Sequence, residues 1–203
     1  MKKFIALLSA VLLSACVNAP VGRTSVIVYD FGLPAVPAKV NEGWSELMLD
    51  VKSPAWADSP HIHYRLAYEN ALKRREYGES RWAGAPAVLL AQRLRQQLGL
   101  MDGNVNATVG CRLNLELHEF TQMFDSPQQS RGVLLADISL IDARRERVAG
   151  RRFLIDQPAA TPDASGGVAA LVSAGDELAR QMADWLENEK VGKGFADCRR
   201  SIR

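Results

Sequence analysis

The sequence predicts an α/β fold, a single mixed β-sheet of about six strands packed with two main α-helices. Three observations lead there. Residues 108–124, TVGCRLNLELHEFTQMF, alternate apolar and polar side chains over most of their length, the period of a strand with one buried face. Two other segments, residues 85–100 and 162–189, repeat apolar residues at helical spacing. Along the chain the order is strands, helix, strands, helix, which suits one sheet covered by two helices.

Each element has its own reason. Residues 24–32, TSVIVYDFG, are β-branched and aromatic and end on glycine, so they read as a first strand. The prolines of GLPAVPAKVNEG (residues 32–43) make a loop. SELMLDVKSP (45–54) and HIHYRLAYE (61–69) read as two short strands around a proline-bounded turn at 53–60. In the helix at 85–100, Pro86 suits the first turn, Ala87, Leu90, Ala91, Leu94 and Leu98 form the stripe, and Gly99 ends it. Within the long alternating strand, Cys111, Leu113, Leu115 and Leu117 share one face; Arg112, Asn114, Glu116 and His118 share the other. Residues 131–142 and 147–156 are the next two strands, joined by the hairpin turn ARRE. In the last helix Val168, Leu171, Val172, Leu178, Met182, Trp185 and Leu186 make the apolar stripe, while Ala169, Ala170 and Ala174 permit close approach to a sheet. Neither an internal repeat nor a second domain is visible, so residues 24–203 form one domain.

The N-terminus has a different character. Met1-Lys2-Lys3 precedes an apolar run, Phe4 to Leu13, interrupted only by Ser9. Ten helical residues reach about 15 Å, roughly half of a ~30 Å hydrocarbon core. A secretory signal peptide over residues 1–15 therefore fits better than a membrane span. Leu13-Ser14-Ala15-Cys16 resembles the bacterial lipobox, in which the cysteine thiol takes a diacylglycerol, the chain is cut before it, and the new amine is acylated. The other reading is an ordinary signal peptide that happens to contain Cys16. Two or more acyl chains hold a protein firmly, at ~0.8 kcal/mol per buried methylene. Val17, where an aspartate would retain a lipoprotein in the inner membrane, implies the outer membrane. Residues 16–23 are then a lipidated tether, reaching at most ~25 Å and keeping the body close to the membrane.

Cleavage changes both charge and cysteine arithmetic. The chain carries 25 Lys and Arg against 23 Asp and Glu. Loss of Lys2 and Lys3 balances them, so no net basic field remains to recruit nucleic acid. With Cys16 taken by lipid, Cys111 and Cys198 are left in an oxidising compartment. There two cysteines commonly pair, and a bridge closing so long a loop is worth ~4 kcal/mol or somewhat more in the chain-entropy model. Two separate thiols remain the alternative.

Motifs for chemistry are absent: the chain has no GxSxG elbow, HExxH, CxxC or phosphate loop. His61-x-His63 has a spacing that can bind metal, but only His118 could join them, so exposed or edge histidines are the simpler reading and no metal site is expected. Asp163, Ser165, Gly166 and Gly167 could hold an anion at a helix N-terminus; helix capping explains them more simply. Arg144, Arg145, Arg147, Arg151 and Arg152 bracket the hairpin turn. They read as charges that protect a sheet edge, with a surface for anionic lipid or a partner as the alternative. Trp44, Trp56, Tyr64, Trp82 and Phe120 are assigned to the core before any ligand contact.

YDFG after the tether, PAW followed by YRLAY, SRWAGAPAVLL, LELHEFTQMFDSP, RGVLL and DASGGVAALVSA with a later tryptophan occur in this order between Tyr29 and Leu186. Together they resemble the ABC-type transport auxiliary lipoproteins, the PqiC-like family, with departures at Ala57 and Asn70. The resemblance implies a periplasmic accessory subunit of an Mce-type (mammalian cell entry) lipid transporter. There an inner-membrane ABC transporter, an Mce-domain protein and an outer-membrane lipoprotein move lipids between membranes. It implies no catalysis and no cofactor beyond the diacylglycerol and N-acyl chain on Cys16. It also implies docking of the Mce protein at the periplasmic face of the outer membrane, in a homo-oligomeric ring built by a head-to-tail interface. Tyr29, Phe31, Tyr64, Arg65 and Trp82 stand as the family-motif residues, for structure before partner contact. Two other classes compete: a lipoprotein holding a lipid or small molecule in its own cavity, and a hydrolase, for which no nucleophile–base pair is readable.

Overall fold

The computed structural model describes residues 25–34, 44–45, 47–102, 111–188, 191 and 193. The expected signal peptide and tether, with Cys16, lie outside these residues, as does Cys198. The described chain runs β1 (Ile27–Tyr29), β2 (Met48–Lys52), a 3-10 turn (Ala55–Ala57), β3 (His61–Leu66), a single-turn helix α1 (Ala67–Asn70) and β4 (Arg74–Trp82). There follow α2 (Pro86–Leu98), β5 (Met101–Asp102), β6 (Arg112–Ser126), β7 (Gln129–Ile141), β8 (Arg147–Pro158) and α3 (Ala164–Glu187).

The alternating segment becomes the spine of the sheet. β6 pairs antiparallel with β7, and β7 with β8, in a meander of long strands. Along its other edge β6 carries two parallel strands in tandem: β2 beside Arg112–Glu116 and β3 beside Gln122–Phe124. β5 extends β2 in parallel, β4 adds antiparallel to β3, and β1 adds parallel to β4. The sheet is thus mixed, with eight strands, of which β1 and β5 have only three and two residues. Its six longer strands match the number expected.

A bulge in β6 decides what each face carries. Leu117 opposes Ala136 while Glu119 opposes Leu135, so His118 is an extra residue and the alternation changes parity there. Leu113, Leu115 and Leu117 before it, and Phe120, Gln122 and Phe124 after it, are all buried. Glu119 and Thr121 turn to the opposite face. Helices α2 and α3 pack on the inner face and on each other. Leu90, Leu94, Leu98, Leu171, Leu178 and Met182 are fully buried there. Pro86 opens α2, and Gly99, at φ 68°, closes it with its N–H donating to the Arg95 carbonyl at 2.8 Å. Asp163 caps α3, its Oδ1 accepting the Gly166 N–H at 2.8 Å, so the capping reading of the 163–167 segment holds. On α3, Ala170 and Ala174 are buried and Ala169 faces outward.

The structure departs from the sequence reading in several places. Neither β4 nor β5 was expected. His63, read as exposed or at a sheet edge, is buried in β3, which has β4 on one side and β6 on the other. The first strand is three residues long rather than nine. The strand expected over residues 61–69 stops at Leu66, where the chain turns into α1. Trp56, assigned to the core, is 54% exposed.

Candidate functional site

The five motif residues fall into three braces rather than one pocket. Phe31 and Trp82 belong to the first. Asp30 Oδ1 accepts the Gly32 N–H at 2.8 Å, and Gly32 takes φ 60°, a turn that drives Phe31 inward. Phe31, Trp82 and Phe120 then form a buried trio with ring centroids 5.4–5.8 Å apart. Tyr29 packs on the rim of the core, and its carbonyl accepts the Ala83 N–H at 2.7 Å. Arg93, only 3% exposed, reaches the same loop from α2: Nη1 donates to the Gly32 carbonyl at 3.2 Å. Its Nε and Nη2 form a two-pronged ion pair with Asp176 of α3 at 2.6 and 2.9 Å, and Gln97 Nε2 donates to Asp176 Oδ1 at 2.6 Å. The loop and both helices are joined by one guanidinium.

Tyr64 belongs to the second brace, on the inner face near the start of α3. Its ring lies 4.6 Å from Tyr77 and 5.9 Å from Phe124. Tyr77 Oη donates to Gln122 Oε1 at 2.8 Å, and Gln122 Nε2 donates to Ser130 Oγ at 2.8 Å. Burial, then the neighbouring Tyr64 and Asp163, push the Tyr77 hydroxyl far above its ordinary pKa, so it stays a donor. Gly167 leaves room for the Gln122 amide; a Cβ there would overlap it.

Arg65 belongs to the third, on the face opposite α2 and α3. Nη2 donates to Glu119 Oε2 at 3.1 Å, while Nη1 donates to the carbonyls of Ala71 and Leu72, both at 3.2 Å. Arg74 holds the same carboxylate at 2.9 and 3.2 Å, and Thr121 Oγ1 donates to it as well. Trp56 lies over the Arg74 guanidinium at 4.0 Å from its ring centre. Here is the reason for its exposure: it serves as a cation–π lid rather than as core.

His63 is buried beside this brace with neither ring nitrogen hydrogen-bonded, a void of about 10 Å³ among Ala57, His63, Arg74 and Glu119 adjoining it. The nearest carboxylate, Glu76, stands 3.7 Å from His63 Nδ1 and 3.5 Å from His61 Nδ1. Burial first, then Arg74, hold the His63 pKa below its ordinary value. His118, at the bulge, contacts Asp137 at 3.0 Å, and Arg152 grips the same carboxylate with two bonds of 2.7 Å. The Arg152 hydrogen bonds, followed by that from His118, pull Asp137 down to about 2. The three histidines do not converge, and among the described residues no group of three or more His, Cys, Asp or Glu is placed to hold a metal ion.

Chemically, these braces consume their own polar groups. Glu119, Asp137 and Asp176 are each held by arginine, so none is poised as a general base. The described surface recesses, about 250 Å³ at Asp30–Leu33 and Gln92–Gln96 and about 400 Å³ at the β6–β7 turn, are lined by charged and amide groups as well as apolar ones. Tyr29, Phe31, Tyr64, Arg65 and Trp82 each make contacts within the fold. Arg93, Gln97, Asp176 and Glu119 were missed. A polar pair at positions 93 and 97, one turn apart beside the Leu90–Leu94 stripe, was the available signal for the first two.

A family model described as "ABC-type transport auxiliary lipoprotein component" matches residues 29–183. A solved structure of a Xanthomonas campestris protein of the DUF330 family is similar at 17% identity and a TM-score of 0.61, with 80% of this chain and 91% of that chain covered. The solved structure of an uncharacterized protein is similar at 13% identity and a TM-score of 0.62, covering 80% and 99%. At those identities the likeness concerns the fold. No curated protein matches.

Proposed function

Because the chain belongs to the family of ABC-type transport auxiliary lipoprotein components, a family of transport accessories rather than of enzymes, we propose that it is the docking subunit of an Mce-type lipid transporter at the outer membrane. In this reading Cys16 carries the diacylglycerol and N-acyl chain, and residues 16–23 tether the domain to the periplasmic face. The Mce-domain protein of the transporter is the partner, and copies of the domain assemble head-to-tail into a ring. Cys111, buried at the head of β6, bridges to Cys198. The observation that carries the reading is the family match over residues 29–183, preceded in the same chain by Leu13-Ser14-Ala15-Cys16. Carboxylates held by arginine support a binding role over catalysis.

Affinity purification from envelope membranes with a functional tagged protein tests the partner: an Mce-domain protein should co-purify, and its consistent absence would sink the docking role. Cys16→Ser tests the anchor. The variant should lose lipidation and leave the membrane fraction; unchanged membrane attachment would overturn it.

A further inference from the structure

The turn joining β7 to β8 contains the sole non-glycine residue with positive φ among the described residues, Arg145 at 67°. The Arg145 N–H donates to the Asp142 carbonyl and the Asp142 N–H to the Glu146 carbonyl, both at 3.0 Å. This is a three-residue hairpin loop whose last position favours glycine. An arginine held there spends conformational energy, and among the described residues its side chain makes no hydrogen bond or ion pair to account for it; such outliers cluster at functional positions.

Its neighbours share the pattern. Arg112, Arg144, Arg145, Arg147 and Arg151 are all exposed. None makes an ion pair with a described carboxylate, a property shared with the exposed Arg81 of β4, whereas Arg65, Arg74, Arg75, Arg93, Arg131, Arg152 and Arg180 all do. Ile141 pairs with Arg112 on one side and with Arg147 on the other, so these two guanidinium groups flank it on one face. The Arg147 guanidinium lies across Gly150 on the face of Ile141, where a Cβ would overlap it; Arg151, which pairs with Ile138 on the other face of this edge strand, lies over the Phe153 ring at 4.8 Å. Two cations are thus held in place without being neutralised. Of the acidic residues in the turn, Asp142 uses Oδ1 to accept the N–H groups of Arg144 and Glu146 at 2.9 and 2.8 Å; Glu146 alone is fully exposed.

Strand direction says which way this tip points. β3 runs parallel to β6, β4 antiparallel to β3, and β1 parallel to β4. β1 therefore runs opposite to β6, and Ser25 and Val26, which lead into it, lie on its side toward the end of the sheet where β6 finishes. The arginine tip lies at the end where β6 begins. On the anchoring reading above, it points away from the membrane that holds the chain, so a protein rather than a lipid surface meets it.

We infer that the β7–β8 tip is a docking surface for a carboxylate-rich segment of the transport partner. This rests on the docking role proposed above, and two assays keep the two ideas separable. In the first, the mature protein is titrated with a fluorescent decaglutamate peptide. Binding should weaken with added salt and fall about tenfold in the triple variant Arg145→Gly, Arg147→Gln, Arg151→Gln. Arg145→Gly alone should raise the thermal midpoint while weakening the peptide, which a purely structural role would not do. Absence of peptide binding, or equal binding by the triple variant, overturns the inference. Sedimentation with phosphatidylcholine–phosphatidylglycerol vesicles (3:1) that the same substitutions abolish assigns the surface to lipid and also overturns it. In the second assay the periplasmic subunit of the cognate transporter replaces the peptide. Undiminished binding by the triple variant removes the tip but leaves the docking role; failure of the unsubstituted protein to bind removes the docking role, and the peptide result still decides the tip.

Discussion

At the scale of single residues, a few charged groups are held where little water reaches them. Arg93 is the clearest. Its partner Asp176 keeps a side-chain exposure of 37%, while the guanidinium itself is almost fully enclosed. Asp176→Ala would leave a buried cation with only the Gly32 carbonyl, a loss of about 3 kcal/mol, the lower end for a broken buried pair because the carboxylate is partly solvated. Urea denaturation of the variant should show it; a change below about 1 kcal/mol would mean that Arg93 finds water instead. His63 gives a pH dependence whose sign follows from its lowered pKa. An unfolded chain takes up the proton near pH 6.5, the folded one at lower pH, so from about that value downward the unfolded state binds more protons and stability falls. Above it the term vanishes. Thermal midpoints should drop between pH 7.5 and 5.5, and His63→Gln should flatten that drop; an unaltered slope would exonerate His63. Asp137 acts lower still, its contribution present above the ordinary carboxylate range and lost as pH falls toward 2.

At the scale of elements, close approach between α3 and the sheet depends on a missing side chain in β7. A Cβ at Gly132 would stand 2.8 Å from the backbone of Ala170 and Leu171, which cannot swing aside as a side chain can. Gly132→Ala should therefore cost about 1–3 kcal/mol by pushing the helix outward. Gly78 of β4 has open space around its missing Cβ. Gly78→Ala should be neutral or stabilising by up to about 1 kcal/mol; chemical denaturation of both variants separates packing from backbone entropy. The same contrast explains what the sequence could reveal. The helix stripes were readable because Leu90, Leu94, Leu171 and Leu178 recur at the period that buries them. β4 was not, because RREYGESRW buries only Ser80 and Trp82 and its order comes from cross-strand partners and the Arg74–Glu119 pair. The bulge at His118 was hidden for another reason: residues before and after it both alternate, and one inserted residue is visible only where the parity is known. Nor could local pattern show that β2 and β3 share one edge of β6, since parallel partners are chosen through tertiary contact. Of the motif residues, Trp82 was legible as core and is buried, Tyr64 was assigned there and is half-buried, and the carboxylate that unites Arg65 with Arg74 lies far along the chain.

At the scale of the whole molecule, the fold is closed by links between distant parts of the chain. Arg93 and Asp176 are 83 residues apart, and β6 gathers strands from both sides of α2. The proposed Cys111–Cys198 bridge would be a further such link, tying the C-terminal tail to the head of the central strand. Closing a loop of that length removes freedom from the unfolded chain, worth ~4 kcal/mol or somewhat more. Dithiothreitol should then lower the denaturation midpoint of the mature protein, and Cys198→Ala should show the lowered value with or without reductant. Cys111→Ala should be less stable again, by roughly 1 kcal/mol, because Cys111 is 3% exposed and truncation leaves a small cavity as well as breaking the bridge. That ordering separates a cross-link from simple packing: a midpoint indifferent to reductant would show two separate thiols, and Cys111 would then hold its place as a buried apolar residue alone.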